Sequence, residues 1–377
     1  MNAIILAGGH GSRMIASGQT VHKPLLPIWG FPNIERTILM LIDFGIKDIT
    51  VIAGIYAEQY KYLHEKYQCK IISESTASVS TLYGIYSVLD SLGDTFIIEG
   101  DVVLAENIFE TQTYSFYYTM RYPYCENDSW KPIIDRHGRI ISFEVGCFSE
   151  PCVFGVSFWS QEDASFIKEF IRNISTKENL ENSNKFWDDY FIDILTDIDI
   201  FTKEIPYDSA TEMNTELEYK RALQLCTDYY STPDKYFLNL HDCSNNLTFR
   251  VDNELSILYT QKLFIDYNSK HPDNLIELNQ PIFFDLREYA YVVRKNKMPI
   301  GFIDLVVETH YLCLRRIYID EIHRNQSIGT EVMRKIILFS KLINKELRVN
   351  VYDEHAAKFY KRLGFRHNFV NYILRRE

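Results

Sequence analysis

The hydrophobic pattern of the first hundred residues alternates between short apolar runs and longer segments with helical spacing. Apolar runs of strand length occupy residues 2–7, 48–53, 70–73 and 95–99. Between them, apolar residues recur every three or four positions, as they do on one face of a helix. This alternation predicts an α/β fold with a doubly wound, mostly parallel sheet.

The pattern changes after residue 113, where strand-like segments follow one another. Residues 114–121, 140–145 and 153–159 are rich in β-branched and aromatic residues, and they predict an antiparallel addition to the sheet. Helical spacing then returns, including a predicted helix over 185–195. Turn-forming residues are dense between 229 and 246.

A second α/β pattern begins after this turn-rich segment, with predicted strands at 301–307 and 312–319 and a helix at 330–341. A chain of 377 residues also exceeds what one hydrophobic core usually organises. We therefore expect two domains, residues 1–228 and residues 240–377.

Composition narrows the function classes. The net charge of −11 argues against a general nucleic-acid binder. The seven cysteines are scattered without a C-x-x-C pair, which predicts free thiols. No apolar run is long enough to span a membrane, and the N-terminus lacks the features of a signal peptide. We expect a cytoplasmic protein that acts on small molecules and has no nucleic-acid or membrane partner. The sequence leaves open whether the protein forms a homo-oligomer.

The first chemical motif follows the first predicted strand. Gly8, Gly9 and Gly11 allow backbone amide groups to approach phosphate oxygens closely. Arg13 and Lys23 add fixed positive charge for a triphosphate and its departing pyrophosphate. The spacing matches neither the Walker pattern nor G-x-G-x-x-G. It predicts a nucleotide-phosphate site of another kind.

This motif resembles the N-terminal sequence of the sugar-phosphate nucleotidyltransferase superfamily, in which a glycine loop and an arginine precede Lys-Pro. Over nearly all of residues 1–225, the resemblance is strongest to bacterial CTP:phosphocholine cytidylyltransferases. It rests on EGD at 99–101, SW at 129–130, FGVSFW at 154–159, KFWDD at 185–189 and TEMNT at 211–215. It implies a Rossmann-like domain that transfers a cytidylyl group from CTP, with Mg²⁺, to a small phosphorylated or phosphonate acceptor and releases pyrophosphate.

The resemblance also implies roles for individual residues. Asp101 and Asn214 would hold Mg²⁺, and Arg13, Lys23 and Asp101 would act in catalysis. The implied nucleotide contacts are Ala7, Gly8, Gly9, Gly11, Ser12, Ser80 and Thr81. Asn214 stands where the cytidylyltransferases have Asp, and Ser80-Thr81 where they have two asparagines. An NTP other than CTP therefore stays open.

Aromatic residues near a carboxylate suit a cationic acceptor, through cation–π attraction. The candidates for this pocket are Trp130, Trp187 and Tyr190, with Asp189 as the carboxylate. Core packing is the alternative for these aromatic residues, and it is the interpretation that we favour for Trp159.

A second motif, HRNQSIGT at 323–330, leads into a helix with apolar periodicity. Backbone amide groups at a helix N-terminus bind pyrophosphate well. The segment resembles the acyl-CoA motif of GNAT acyltransferases, and residues 349–365 resemble the ending of that family. The resemblance implies an α/β domain that N-acylates a small amine with acetyl-CoA. Its implied contacts are Arg324, Gln326, Ser327, Ile328, Gly329 and Thr330, and Tyr360 would protonate the leaving thiolate.

Two positions depart from the GNAT pattern: Ser327 replaces a glycine, and Asp353 replaces an asparagine. A base for the attacking amine is not identified, and the candidates Asp304, Glu308 and Glu321 are expected to be solvated surface charges.

Together the motifs predict a bifunctional transferase. The alternatives are a sugar-1-phosphate nucleotidyltransferase that uses UTP or another NTP with amino-sugar acetylation, and a chain in which one domain only binds a ligand.

Overall fold

The computed structural model describes residues 1–9, 11, 18, 20–73, 80–122, 129–181, 185–195, 197–240, 247–270, 272, 288–351, 354–368 and 373–376. Within these residues the chain divides into two compact units, Met1–Thr227 and Asp228–Glu377. Whether the predicted domains fold independently stays a prediction.

The strands of the first unit are β1 (Asn2–Leu6), β2 (Pro27–Ile28), β3 (Phe31–Pro32), β4 (Ile49–Gly54), β5 (Lys70–Ser73), β6 (Thr95–Glu99), β7 (Val102–Leu104), β8 (Ser115–Met120), β9 (Ser129–Ile134), β10 (Ile140–Gly146), β11 (Cys152–Trp159), β12 (Ile200–Ile205) and β13 (Ala210–Glu212). The α-helices are α1 (Asn33–Phe44), α2 (Ala57–Tyr67), α3 (Thr81–Ser87), α4 (Gln161–Ile174), α5 (Lys177–Glu181) and α6 (Glu216–Tyr230). Short 3₁₀ helices span Lys23–Leu25, Leu89–Ser91 and Asp188–Ile194.

The centre of the first sheet is parallel, in the order β5, β4, β1, β6. The chain first builds outward from β1 through β4 to β5, and then returns to place β6 on the other side of β1. The strand order therefore reverses between β1 and β6, and such a reversal opens a crevice at the carboxyl ends of the strands. This arrangement confirms the doubly wound prediction.

The expected antiparallel addition lies beside β6. Strand β11 pairs antiparallel with β6, and β8 and β9 both pair antiparallel with β11. The segment predicted as a helix over 185–195 is instead a 3₁₀ helix, Asp188–Ile194, in which Phe191 and Ile194 are buried. The carboxylate of Asp189 accepts a hydrogen bond from the backbone amide of Phe186 at 2.5 Å, which fixes the chain just before this helix.

The second unit contains α7 (Pro233–Asn239), β14 (Leu247–Arg250), α8 (Asn253–Lys270), β15 (Glu288–Lys295), β16 (Met298–Val307), β17 (Tyr311–Ile319), α9 (Ile328–Leu342), β18 (Glu346–Asn350), α10 (Glu354–Arg362), β19 (Arg366–Asn368) and β20 (Ile373–Arg376). A 3₁₀ helix spans Glu321–His323. Its sheet has the order β14, β15, β16, β17, β18, β20, β19. The neighbours are antiparallel except β17 and β18, which run parallel.

Helix α7 lies within the segment that the sequence marks as turn-rich. Its Phe237 is fully buried and packs on Phe249, Tyr291 and Phe339, with ring centroids 5.1–5.4 Å away. A proline in the first turn of a helix costs no hydrogen bond, so Pro233 begins the helix rather than preventing it. A fragment meant to fold alone should therefore begin at Asp228 and not at residue 240.

The five cysteines that the structure describes divide into two groups. Cys69, Cys152, Cys226 and Cys313 are free thiols, whereas Cys147 is disulfide-bonded, so the expectation of free thiols is wrong at Cys147. Spacing along the chain does not reveal which thiols the fold brings together. Among the described helices, none is both long and apolar enough to cross a membrane.

Candidate active site

A cavity of about 380 Å³ opens at the crevice between β1 and β6. Residues that follow these two strands line it: Ala7, Gly8 and Gly9 after β1, and Gly100 and Asp101 after β6. Both strands are buried and parallel, so their carboxyl ends meet at one edge of the sheet. The topology thus brings the glycine loop and the predicted metal ligand together.

Lys23 lines this cavity and connects the two predicted metal ligands. Its Nζ donates to Asp101 Oδ2 at 2.6 Å and to Asn214 Oδ1 at 3.1 Å. Asn214 Nδ2 in turn donates to Glu212 Oε2 at 3.3 Å. The side chains of Lys23 and Asp101 are only 17% and 11% exposed. The two predicted metal ligands therefore already share one cation.

The wall of the cavity is strongly acidic. Four carboxyl groups line it, those of Glu99, Asp101, Asp188 and Glu212, and Lys23 is the single cationic side chain among its described lining residues. Burial raises the pKa of Glu99 well above its ordinary range, and the nearby Asp101 charge adds to the effect. Burial raises the pKa of Glu212 to about 7 and that of Asp188 to about 6. Such an environment favours the binding of a cation.

The structure describes five of the predicted nucleotide contacts in the cavity and one, Gly11, beside it. Ala7, Gly8 and Gly9 line the cavity, as do Ser80 and Thr81 at the start of α3. Gly11 has a φ of +59° and lies beside the Lys23 side chain. Ser12 and Arg13 lie outside the described residues.

The predicted acceptor contacts separate into two pairs. Trp130 and Trp187 line the cavity, whereas Asp189 and Tyr190 are not among its described lining residues. Asp189 accepts the Phe186 amide, and the hydroxyl of Tyr190 donates to the Asn179 carbonyl at 3.4 Å.

Asp188, the neighbour of Asp189, faces the cavity instead. It accepts a hydrogen bond from the hydroxyl of Tyr117 at 3.2 Å.

In the second unit, the two predicted acyl-CoA segments lie next to each other. A Cβ added at Gly329, in the first turn of α9, would lie 3.6 Å from Phe359 on α10. Tyr360 is 3% exposed and packs on Phe365, with ring centroids 5.7 Å apart. The N-terminus of α9 and the C-terminal motif thus form one neighbourhood.

The loop before α9 has an unusual backbone. Ser327 precedes the helix with a φ of +61°, the left-handed region that favours glycine, and its side chain makes no capping hydrogen bond. Gln326 Nε2 donates to the Ile322 carbonyl at 3.1 Å, while Ile328 is buried. Thr330 lies in the first turn of the helix.

Arg324 makes contacts within the protein. Its Nε donates to the Ile319 carbonyl at 2.9 Å, and its guanidinium approaches Asp266 at 3.3 Å and the Tyr318 ring at 5.2 Å. The described contacts therefore orient Arg324 against β17 and α8.

The candidate base Asp304 is not a solvated surface charge. It is fully buried in β16, and Arg316 Nε on the neighbouring strand donates to its Oδ2 at 2.6 Å. Burial raises the pKa of Asp304, while Arg316 opposes the shift. The sequence expectation is wrong here because seven consecutive residues of β16, from Ile300 to Val306, are buried, so neither face of the strand meets solvent at Asp304.

Comparisons with known proteins match the two units separately. Residues 3–111 match the MobA-like NTP transferase domain, and residues 287–367 match the acetyltransferase (GNAT) domain. Choline-phosphate cytidylyltransferase of Haemophilus influenzae is 34% identical over 229 residues, which cover 60% of this chain and 98% of that protein. Through its first unit, this chain belongs to the choline-phosphate cytidylyltransferase family. The second unit carries the GNAT domain, so the chain is an enzyme with nucleotidyltransferase and acetyltransferase domains.

Two further relatives extend the comparison. The 2-aminoethylphosphonate cytidylyltransferase of Lancefieldella rimae is 30% identical and covers 58% of this chain and 89% of its own. The solved structure of CTP:phosphocholine cytidylyltransferase from Streptococcus pneumoniae has a TM-score of 0.56 and 27% identity, and it covers 59% of this chain and 98% of its own.

Several residues that line the cavity of the first unit were not predicted from the sequence. They adjoin predicted positions: Glu99 precedes Gly100-Asp101, Asp188 precedes Asp189, and Glu212 lies two residues before Asn214. A carboxylate close to a predicted ligand in the sequence was the available signal. In the structure, Gly155 on β11 leaves room for Glu99, because a Cβ at Gly155 would approach the Glu99 side chain to 2.6 Å.

Proposed function

We propose that the first unit transfers CMP from CTP to a small acceptor that carries a phosphate or phosphonate and a cationic amine. The observation that carries this proposal is the cavity in which four carboxyl groups and Lys23 lie beside the glycine loop. The names of the relatives, which include phosphocholine and aminoethylphosphonate enzymes, support the same acceptor class.

In the reaction, an oxygen of the acceptor's phosphate or phosphonate attacks the α-phosphorus of CTP. A new P–O bond forms, and the bond to pyrophosphate breaks. An ionised phosphate oxygen needs no general base, so the protein contributes positioning and charge stabilisation. Lys23, which lines the cavity, is proposed to neutralise charge on the phosphates together with Arg13.

Asp101 and Asn214 are the residues that would hold Mg²⁺. Their oxygens converge on one cation, the Lys23 ammonium, which shows that the pair suits a positive charge. In the described part of the chain no three His, Cys, Asp or Glu side chains form a metal-binding group. A two-ligand site fits Mg²⁺, which retains water and binds phosphates. When bound, the metal would neutralise charge on the triphosphate.

The base of the nucleotide is proposed to lie near Ser80 and Thr81. Thr81 Oγ1 is buried and has no hydrogen-bond partner in the described part of the protein, although it belongs to a residue that lines the cavity. A buried hydroxyl without a partner is costly, and a ligand atom would satisfy it.

The acceptor's amine is proposed to face Asp188. Tyr117 holds this carboxylate at 3.2 Å, and Trp187 and Trp130 supply aromatic surface in the same cavity. A carboxylate and aromatic rings together stabilise an ammonium group.

The second unit is proposed to transfer an acetyl group from acetyl-CoA to an amine. The amine nitrogen attacks the thioester carbon, the C–S bond breaks, and Tyr360 is proposed to protonate the departing thiolate. The nitrogen releases one proton to solvent, and a proton from solvent restores the Tyr360 hydroxyl. The backbone amides of Ser327, Ile328 and Gly329 are proposed to bind the CoA pyrophosphate, a role supported by their position at the start of α9. The acceptor must carry an N–H group, so a quaternary ammonium cannot serve as the acetyl acceptor.

A uridylyl transfer to a sugar 1-phosphate is the second candidate, because Asn214 replaces the aspartate of the cytidylyltransferases. Pyrophosphate release distinguishes the two. The full chain is incubated with CTP, UTP, dTTP, GTP or ATP, each paired with phosphocholine, 2-aminoethylphosphonate or glucosamine 1-phosphate. We expect release with CTP and an amine-bearing acceptor. Release with UTP and the sugar phosphate alone would replace the first proposal by the second.

A further inference from the structure

His22 connects the glycine loop to helix α2, and the mechanism above gives it no role. The residue directly precedes Lys23 and is 6% exposed. Its Nε2 lies 2.7 Å from the carbonyl oxygen of Gly9, and its Nδ1 lies 2.5 Å from the hydroxyl of Tyr60. The ring also stacks on Tyr56, with centroids 3.9 Å apart. The imidazole is therefore held by the loop on one side and by the α2 region on the other.

These contacts define the tautomer of the neutral ring. Burial raises the pKa of Tyr60, whose side chain is fully buried, so its hydroxyl keeps its proton and donates to Nδ1. A carbonyl oxygen can only accept a hydrogen bond, so Nε2 carries the ring proton and donates to Gly9. Tyr60 thus fixes His22 as a donor toward the loop.

Gly9 lies where this donor matters for ligand binding. Gly8 and Gly9 line the cavity, and a Cβ at Gly9 would meet no atom of the described residues within 4 Å. As far as these residues show, the loop borders open space at this point. A carbonyl oxygen turned into that space would repel a phosphate, whereas amide groups would attract it.

We propose that His22 is a positioning residue for nucleotide binding, which holds the Gly9 carbonyl away from the phosphates so that the loop amides face them. The inference rests on the proposed nucleotidyl transfer. The same ring also holds the backbone next to Lys23. The Nζ of Lys23 donates a hydrogen bond to Asp101 Oδ2 at 2.6 Å. One side chain thereby sets the relative position of the two groups that meet the triphosphate.

Two substitutions of His22 separate this role from simple packing. In His22→Gln the side-chain amide reaches the Nε2 position and can still donate to Gly9, whereas in His22→Asn it reaches only the Nδ1 position. Steady-state pyrophosphate release by the full chain is measured with CTP and the acceptor each varied. For His22→Asn we expect the KM for CTP to rise about tenfold, as the loss of one hydrogen bond would give, with the KM for the acceptor unchanged. His22→Gln should recover most of the affinity.

Tyr60→Phe provides the second test, because it leaves the His22 ring in place but removes the donor that fixes its tautomer. For Tyr60→Phe we expect a smaller rise in the KM for CTP than for His22→Asn. If His22→Asn does not fold, Tyr60→Phe tests the inference in its place. Equal effects of Gln and Asn, or a parallel rise in both KM values, would overturn the inference. A wild-type chain that releases no pyrophosphate with any nucleotide and acceptor would instead refute the proposed function.

Discussion

In the first unit, four carboxyl groups crowd a cavity around Lys23, whereas charged side chains around the second site are matched in pairs. Asp304 accepts from Arg316 at 2.6 Å, and Lys262 contacts Asp320 at 3.1 Å. A paired charge is compensated within the protein, whereas like charges that share a cavity cost stability unless a ligand balances them. The difference supports a first site organised by side-chain charge and a second site that is proposed to use backbone amides at the start of α9.

The largest effect should come from removing the charge at Asp101. Asp101→Ala should lower pyrophosphate release by about 10²-fold or more, because it removes the carboxylate proposed to hold Mg²⁺. Acetyl transfer by the same preparation, measured as thiol release, should not change. Asp90→Ala is the matched control, since that side chain is 93% exposed. If both activities fell together, Asp101 would be a structural residue.

Tyr360 provides the corresponding test in the second unit. Tyr360→Phe should lower acetyl transfer by about 10²-fold with little change in acetyl-CoA affinity, as the loss of a general acid would do. Pyrophosphate release should stay at the wild-type level.

Tyr291→Phe is the control for Tyr360, because its hydroxyl donates to Asp234 at 2.6 Å in the same unit and has no proposed catalytic role. An unchanged rate in Tyr360→Phe would reduce Tyr360 to a packing residue.

Because like charges in the cavity lower the stability of the fold, we expect a substitution that removes the Asp188 charge to change the free energy of unfolding. The pKa of Asp188 is raised to about 6, so the folded state binds more protons than the unfolded state between about pH 4 and pH 6. Stability contributed by the protonated form is therefore lost as pH rises through this window. Asp188→Asn should raise the free energy of unfolding by about 1–3 kcal/mol at pH 8 but not at pH 4.

Asp188→Asn should also slow pyrophosphate release, since the proposed partner of the amine is lost. Denaturant unfolding at the two pH values checks the stability change, with Asp189→Asn as the neighbouring control. A loss of stability at pH 8 would show that the Asp188 charge is compensated within the protein.

The smallest effect is expected at the backbone of the second site. Ser327→Gly should stabilise the second unit by about 0.5–1 kcal/mol, because a serine at positive φ is strained and glycine is not. Asn325→Gly is the control, since Asn325 also has positive φ but asparagine tolerates it. Thermal unfolding measures both, and a destabilised Ser327→Gly would contradict the strain.

Sequence reasoning succeeded where local pattern determines structure. The short apolar runs predicted the parallel strands, and the end of the fourth run predicted that Asp101 lies at the same sheet edge as Gly8 and Gly9. It did not find Asp188, because a 3₁₀ helix rather than an α-helix decides which of two adjacent carboxylates faces the cavity. Asp304 was missed for a related reason: its ion pair depends on the register between β16 and β17, which no single segment encodes.

The central claim is that the two units carry separate chemistries, and expression of the units alone tests it most directly. Residues 1–230 and residues 228–377, which share the end of α6, are each assayed for both activities. We expect the first fragment to release pyrophosphate with CTP and an amine-bearing acceptor, without using acetyl-CoA. The second should release thiol from acetyl-CoA with an amine, without using CTP. Two folded fragments that are both inactive, beside an active full chain, would contradict the claim.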